Sequence, residues 1–314
     1  MSVLSQPRFH NEAAAFEYVE RLLWPNGPIC PHCGGFENIY DLSKTRIGLR
    51  KCGQCRKQFT VRVGTILEDS HLPMTKWLQA IHLMVSSKKG VSSHQLHRTL
   101  ECTYKTAWFL THRIREAMRE GELAPFGGTG GDVEVDETFI SRDPDAPPTS
   151  TGNPSTGFHH KMKVLTLVDR TSGRARSFVV DTLSAKDIAP ILSANIAKEA
   201  RLLTDEARRY IKMGRQFADH QSVNHGKEEY VSRTDPTVHT NTVEGFYSIF
   251  KRGMRGVYQH ASKKHLHRYM AEFDFRYSHR VALGVDDQER ASRALAGVVG
   301  KRLRYDGPSP SISV

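Results

Sequence analysis

Four cysteines, Cys30, Cys33, Cys52 and Cys55, stand in the spacing C-x2-C-x18-C-x2-C. Each pair places two thiolates on one tight turn, and two such turns close a tetrahedral site with bonds of about 2.3 Å to Zn2+. Pro31-His32 and Gly34-Gly35 build the first turn, Gly53-Gln54 and Arg56-Lys57 the second. The spacing predicts a zinc ribbon, which with the helix before it occupies residues 1–70. Two disulfides in a secreted protein are the competing reading. Met1 to Phe9 lacks the apolar stretch of a signal peptide, however, and Cys102 would be left over. His32 is read as a turn residue, because four thiolates already saturate a structural site.

The length of 314 residues with 38% hydrophobic content allows two or three domains. No apolar run approaches the roughly 20 residues of a membrane span, so no membrane partner is expected and the chain reads as soluble and intracellular. A formal net charge of +11, with Lys and Arg recurring along most of the sequence, favours a polyanionic partner. Charge alone says little; beside a zinc ribbon it points to nucleic acid.

Ahead of the ribbon, Asn11 caps a helix carrying Phe16, Val19, Leu22 and Leu23, which stops at Pro25-Asn26-Gly27. Phe59 to Val63 alternates as its last strand. Residues 71–122 then read as helices. Trp77, Leu78, Ile81, Met84 and Val85 share one face, Gly90 is a stop, Ser92 opens a short helix through Leu96 and Leu100, and Thr103 caps a longer one with Ala107, Trp108, Thr111, Ile114 and Met118. Two helices joined by so short a turn read as a helix-turn-helix. Lys105, Arg113, Arg115 and Arg119 make the second helix basic and are the candidate phosphate contacts. A three-helix bundle with a solvated charged face is the alternative. Cys102, in the turn, reads as a small buried residue.

After the glycine run Gly127 to Gly131 the pattern becomes α/β over residues 123–281. Val133, Val135 and Phe139 bracket Asp136 in one strand. Met162 to Val168 and Ala175 to Val180 form a hairpin, Ser184 caps a helix through Ile188, Ile191, Leu192 and Ile196, and Arg201 to Thr204 is a short strand ending at Asp205. Three strands, a helix, a strand and a helix is the order of an RNase H-like domain with a central mixed sheet. Arg142 to His160 reads as a mobile excursion, and residues 282–314 as a basic tail, partly disordered.

Asp136 and Asp205 each end a short apolar strand, where Asp has low β-propensity. Thr242 begins a helix with Glu244 in its first turn, and Lys251 lies two turns beyond Glu244 on the same side. Two Asp and one Glu are the oxygen donors a hard divalent cation takes, and paired Mg2+ or Mn2+ ions activate a nucleophile and stabilise the leaving oxygen of a phosphodiester. Strand-end Asp also caps helices, and Glu244 with Lys251 also suits a solvated face. Alternation points Glu137 to the opposite face from Asp136, so Glu137 and Glu206 stay outside the triad. Asn241 reads as a helix cap. His220, His225 and His239 cluster in a loop-rich stretch before Glu244, where contact with DNA or with the site competes with plain solvation.

The strings His239 to Phe246, Phe250 to Gly256, Val133 to Thr138, Leu203 to Glu206, Glu272 to Tyr277 and Trp24 to Gly34 resemble, in order, the insertion-sequence transposases of the ISXO-like DDE group. The resemblance runs from about Glu12 to Arg280. It implies Asp136, Asp205 and Glu244 as the acidic triad binding Mg2+ or Mn2+, Lys251 as the companion lysine, and Lys251, Arg252 and Arg255 against DNA. Some members of the group carry Asn as the third acid; here it is Glu244. The implied activity is cleavage of an element's terminal inverted repeats and strand transfer into target DNA, by a homo-oligomer in the bacterial cytoplasm. A non-catalytic DNA-binding regulator derived from such an element is the alternative, and a structure-selective nuclease of the same fold a third.

Overall fold

The computed structural model describes residues 2–121, 124–145 and 160–304. They form two compact units, one made of Met1–Arg119 and the chain from Val285, the other of Glu120–Gly284. Among the described residues no helix is long and apolar enough to cross a membrane.

In the first unit, α1 (Glu12–Leu23) starts where the Asn11 side chain accepts from the Ala14 amide. Three short antiparallel strands follow, β1 (Ile39–Asp41), β2 (Arg50–Cys52) and β3 (Gln58–Phe59). The strand expected over Phe59 to Val63 ends at Phe59. There the Val63 and Thr65 amides bond back to the Thr60 and Arg62 carbonyls, and the Arg62 guanidinium holds the carbonyls of Ser70 and Leu72, so the chain turns. Three helices follow, α2 (Met74–Ser86), α3 (Ser93–Thr99) and α4 (Tyr104–Met118). Ser92 and Thr103 cap α3 and α4 through their hydroxyls. Pro73 offers α2 no side-chain cap; the Glu12 carboxylate takes the Met74 and Thr75 amides instead, at 2.7 and 3.1 Å.

The basic tail expected over residues 282–314 is corrected by the structure. Asp287–Ala296 is a helix, α9, capped by Asp286. Ala294, Leu295 and Val298 are buried, Arg290 donates to the Val85 carbonyl at the end of α2, and the Ile66 amide bonds to the Val298 carbonyl. Gly297 passes so close to α4 that a Cβ there would stand 2.3 Å from the Ala117 carbonyl oxygen. Residues 305–314 lie outside the described ones. Ending the chain at Gly284 should therefore destabilise the first unit. Leu295 and Val298 alone represent about 1.5–3 kcal/mol each of apolar burial, enough to lower its melting midpoint by roughly 10 °C. An unchanged melt would show that α9 contributes nothing to that unit.

The second unit is a five-stranded sheet of β4 (Asp132–Arg142), β5 (Lys161–Asp169), β6 (Arg174–Val180), β7 (Arg201–Thr204) and β8 (Asp219–Ser222), in the order β6-β5-β4-β7-β8. β4 pairs antiparallel with β5 and parallel with β7, and β7 pairs parallel with β8. The mixed sheet expected from the element order is thus present, and β4 is its centre. Strand alternation sends Val133 and Val135 to one face, against α5 (Ala185–Asn195) and α6 (Arg209–Gly214). Ile140 faces the other way, among Val243, Phe246 and Phe250 of α7 (Asn241–Gly253) and Leu266 and Phe273 of α8 (Lys263–Ser278). Of the excursion expected to be mobile, residues 146–159 lie outside the described ones.

Candidate functional site

The ribbon cysteines close into one group, with all four sulfurs within 4.8 Å of one another. Cys30 and Cys55 are 3.7 Å apart and Cys33 and Cys52 3.6 Å. Both exceed the ~2.05 Å of a disulfide and match the ~3.8 Å edge of a tetrahedron with ~2.3 Å bonds to its centre. The donor set therefore fits a tetrahedral soft-ligand ion such as Zn2+. The Cys55 amide, with the Cys33 thiol and the Gln54 amide, pulls the Cys52 thiol down to about 7, whereas at Cys33 the pull of the Gly35 amide is outweighed by burial and the other three thiols, which push the thiol up.

In the sheet unit, Glu134 on β4 stands beside Leu203 on the parallel β7. Asp136 lies within the 11-residue β4 rather than at the end of a short strand, and continuing that register by two residues sets it level with Asp205, just past the end of β7. Their carboxylates do meet, and Glu137 joins them: one oxygen from each of the three lies within 4.8 Å of the others. Glu137, expected on the opposite face and outside the triad, is therefore close to both aspartates. Alternation holds, since Glu137 lies toward α6, where it accepts from the Tyr210 hydroxyl at 2.5 Å and pairs with Arg209 at 3.4 Å. Asp205, however, follows the last residue of β7 and is free of the pleat, so side chains from either face of β4 reach it. Burial, then the neighbouring charges of Glu137, Asp205 and Glu244, pushes the Asp136 carboxyl up to about 7. Close-packed carboxylates with so little cationic company fit a divalent cation with oxygen ligands.

Glu244 stands apart from these three. Its carboxylate accepts from the Thr240 hydroxyl at 3.2 Å and lies 3.6 Å from His225 Nε2, though its charge is felt at Asp136. The Tyr247 hydroxyl, one turn along α7, donates to the Asp136 carbonyl at 2.6 Å. Lys251, half-buried, has Nζ 6.0 Å from the Tyr247 ring. Asn241 is the first residue of α7 rather than its cap; Thr240 stands at the cap position. Glu206 accepts the His225 and Gly226 amides. His220 bonds the Thr204 hydroxyl, and burial lowers its pKa. His239 is engaged by Arg170, and burial followed by that guanidinium's charge lowers its pKa.

The candidate phosphate contacts of α4 are corrected in part. Arg113 and Arg115 are buried. The Arg113 guanidinium donates to the Glu68 carbonyl and lies over the Trp77 and Phe109 rings at 5.2 and 5.6 Å, and burial lowers it to about 10. Arg115 donates to the Thr111 hydroxyl at 3.1 Å. Lys105 is exposed, and Arg119, partly exposed, pairs with Glu116 at 3.6 Å. From His71 to Arg115 the sole acidic residue, Glu101, stands against seven basic ones, of which Lys88, Lys89, Arg98 and Lys105 are exposed. Arg252 and Arg255 are also exposed.

A cysteine ribbon followed by a mixed five-stranded sheet that brings Asp136 of β4 beside Asp205, just past β7, is consistent with a DDE transposase domain. The chain matches the ISXO2-like transposase domain over residues 129–278 and the transposase zinc-ribbon domain over residues 10–58. It is 28% identical, over 85% of its length and 91% of the relative's, to an uncharacterized protein in transposable element ISH50 of Halobacterium salinarum. A chain of the simian T-cell lymphotropic virus intasome complex with the PP2A regulatory subunit B56 gamma aligns with 57% of this chain and 67% of its own. At 13% identity and a TM-score of 0.30, that likeness carries no weight here.

Proposed function

We propose that the chain cuts the ends of its own insertion sequence and joins them to target DNA, with Asp136, Asp205 and Glu244 as the metal-binding acids. The observation that carries this reading is the meeting of Asp136, within β4, and Asp205, just past the end of β7, in a chain that matches the ISXO2-like transposase domain. Bound there, a divalent cation of the Mg2+ or Mn2+ kind supplies a lowered pKa for the attacking water or 3′-hydroxyl and charge to stabilise the leaving oxygen. Lys251, two turns along α7 from Glu244, is suited to hold a DNA phosphate. Glu137, tied to Tyr210 and Arg209, shapes the carboxylate group from its far side. In the ribbon, Zn2+ holds the fold and has no part in the chemistry.

The test is to incubate purified protein with DNA carrying the sequences that flank its gene, with Mg2+ or Mn2+, and to follow both products. Cleaved ends that become covalently joined to a second DNA support a transposase. Cleavage without joining indicates a nuclease, and binding without either a regulator.

The exposed cations of α3, of the first turn of α4 and of the segment before α3 are proposed as the phosphate contacts in place of Arg113 and Arg115. Replacing Lys88, Lys89, Arg98 or Lys105 by Gln should flatten the dependence of log affinity on log salt by about 0.9 per charge. Arg113→Met should lower the melting temperature and leave that slope alone. A slope that responds to Arg113 and not to Lys105 would reverse this assignment.

A further inference from the structure

Glu134 lies two residues before Asp136 on β4, and its carboxylate is wholly buried. A buried carboxylate is costly to keep unless every oxygen is satisfied, so its partners reveal what it holds. Oε1 accepts from Arg170 Nε at 2.6 Å, and Oε2 from the Val243 amide at 2.8 Å. Val243 is in the first turn of α7, where helix amides lack partners. The cap residue, Thr240, gives no side-chain bond to the helix backbone and donates to Glu244 instead. Glu134 therefore caps α7 from 109 residues away.

Arg170 extends the grip to the segment entering the helix. Its guanidinium donates to the Thr237 and His239 carbonyls at 2.5 and 2.8 Å and to His239 Nδ1 at 2.7 Å. As an acceptor at Nδ1, His239 carries its proton on Nε2. Asp132, also on β4, braces the same guanidinium at 3.3 Å. One turn beyond Val243, the Tyr247 hydroxyl donates to the Asp136 carbonyl. Glu244 is thus bracketed on α7 by two ties, at Val243 and Tyr247, and both end on β4 around Asp136.

We propose that Glu134, clamped by Arg170, is a positioning residue that fixes the start of α7 on β4 and so sets where Glu244 stands relative to Asp136 and Asp205. The proposal rests on the reading of Glu244 as the third metal-binding acid. A Ser, Thr or Asn cap within the loop would satisfy the Val243 amide equally well. A carboxylate turns one oxygen to that amide and the other to a guanidinium, which couples the helix to the strand that carries Asp136.

The full-length protein is compared with Glu134→Gln, with Glu134→Leu/Arg170→Met and with Glu244→Gln. Three properties are read: melting temperature, metal-free hydrogen exchange over residues 239–247, and Mn2+ affinity by calorimetry. Glu134→Gln strands the Arg170 charge and is expected to lower the melting temperature. The double variant removes both charges and should recover it. In both, exchange over 239–247 should accelerate at least tenfold and Mn2+ affinity should fall roughly 10–100-fold, the usual range when an outer partner of a metal ligand is lost. Adding Glu244→Gln to the double variant should then weaken Mn2+ little further. Recovery of exchange protection and Mn2+ affinity along with the melting temperature would reduce Glu134 to a structural residue and overturn the proposal. So would additive losses with Glu244→Gln. Undiminished Mn2+ affinity in Glu244→Gln alone would overturn the third-acid reading, and the proposal with it, whatever the exchange data show.

Discussion

Asp136→Ala and Asp205→Ala are each expected to lower metal-dependent cleavage and joining at least ~10^3-fold while leaving binding to the element's ends intact. Each removes a carboxylate from the group beside the end of β7, and no other described side chain there offers an equivalent oxygen except Glu137, which is already engaged by Tyr210 and Arg209. Glu137→Gln keeps the bond to Tyr210 and should cost far less, of the order of tenfold. Lys251→Ala should likewise weaken activity less than either aspartate, because holding a phosphate is separable from activating the nucleophile. If Asp136→Ala retained strand joining while Glu137→Gln abolished it, the metal would belong to the α6 face of β4 and the triad would need reassignment.

The second large effect is expected at the ribbon. Purified protein should carry about one Zn2+ per chain, and Cys52→Ser or chelation should unfold residues around the three short strands. The binding free energy of such a site is on the order of 10 kcal/mol and is largely folding free energy. The apolar support is small: Cys30, Cys52 and Phe59 are the buried members of this cluster, with Trp24 and Ile39 at its margin. Without the ion, that little burial cannot offset the entropy of ordering the turns. The sheet unit, with two extensive apolar faces of its own, should keep its melting transition. A metal-free protein with native exchange protection over residues 30–59 would refute the assignment.

Much of this was legible in the sequence because its signals are local. The cysteine spacing, the caps at Asn11, Ser92, Thr103 and Ser184, and the strand Arg201–Thr204 depend on residues close along the chain. The difficulties came from distance. Arg113 and Arg115 read as a charged helix face, since nothing nearby in sequence announces that the Glu68 carbonyl and the Trp77 ring would draw a guanidinium inward. Strand alternation places Glu137 opposite Asp136, which is right for the strand and silent about an aspartate just past a neighbouring strand's end. The Thr242 helix was recognised, but its cap lies on another strand, at Glu134. α9 carries no periodic apolar signal, because its only buried apolar side chains are Ala294 and Leu295, although Asp286 with Asp287 and Glu289 spells an ordinary helix start.

That last helix sets an order of events during synthesis. The ribbon and α1 to α4 leave the ribosome first, yet their unit lacks α9 until the whole sheet unit, Glu120–Gly284, has been translated. At about 5–20 residues per second that interval lasts roughly 10–30 s. The sheet unit, continuous in sequence, can close within it, whereas the helices proposed to grip DNA wait for α9. A nascent chain can therefore complete the unit that carries Asp136 and Asp205 before the unit proposed to hold DNA.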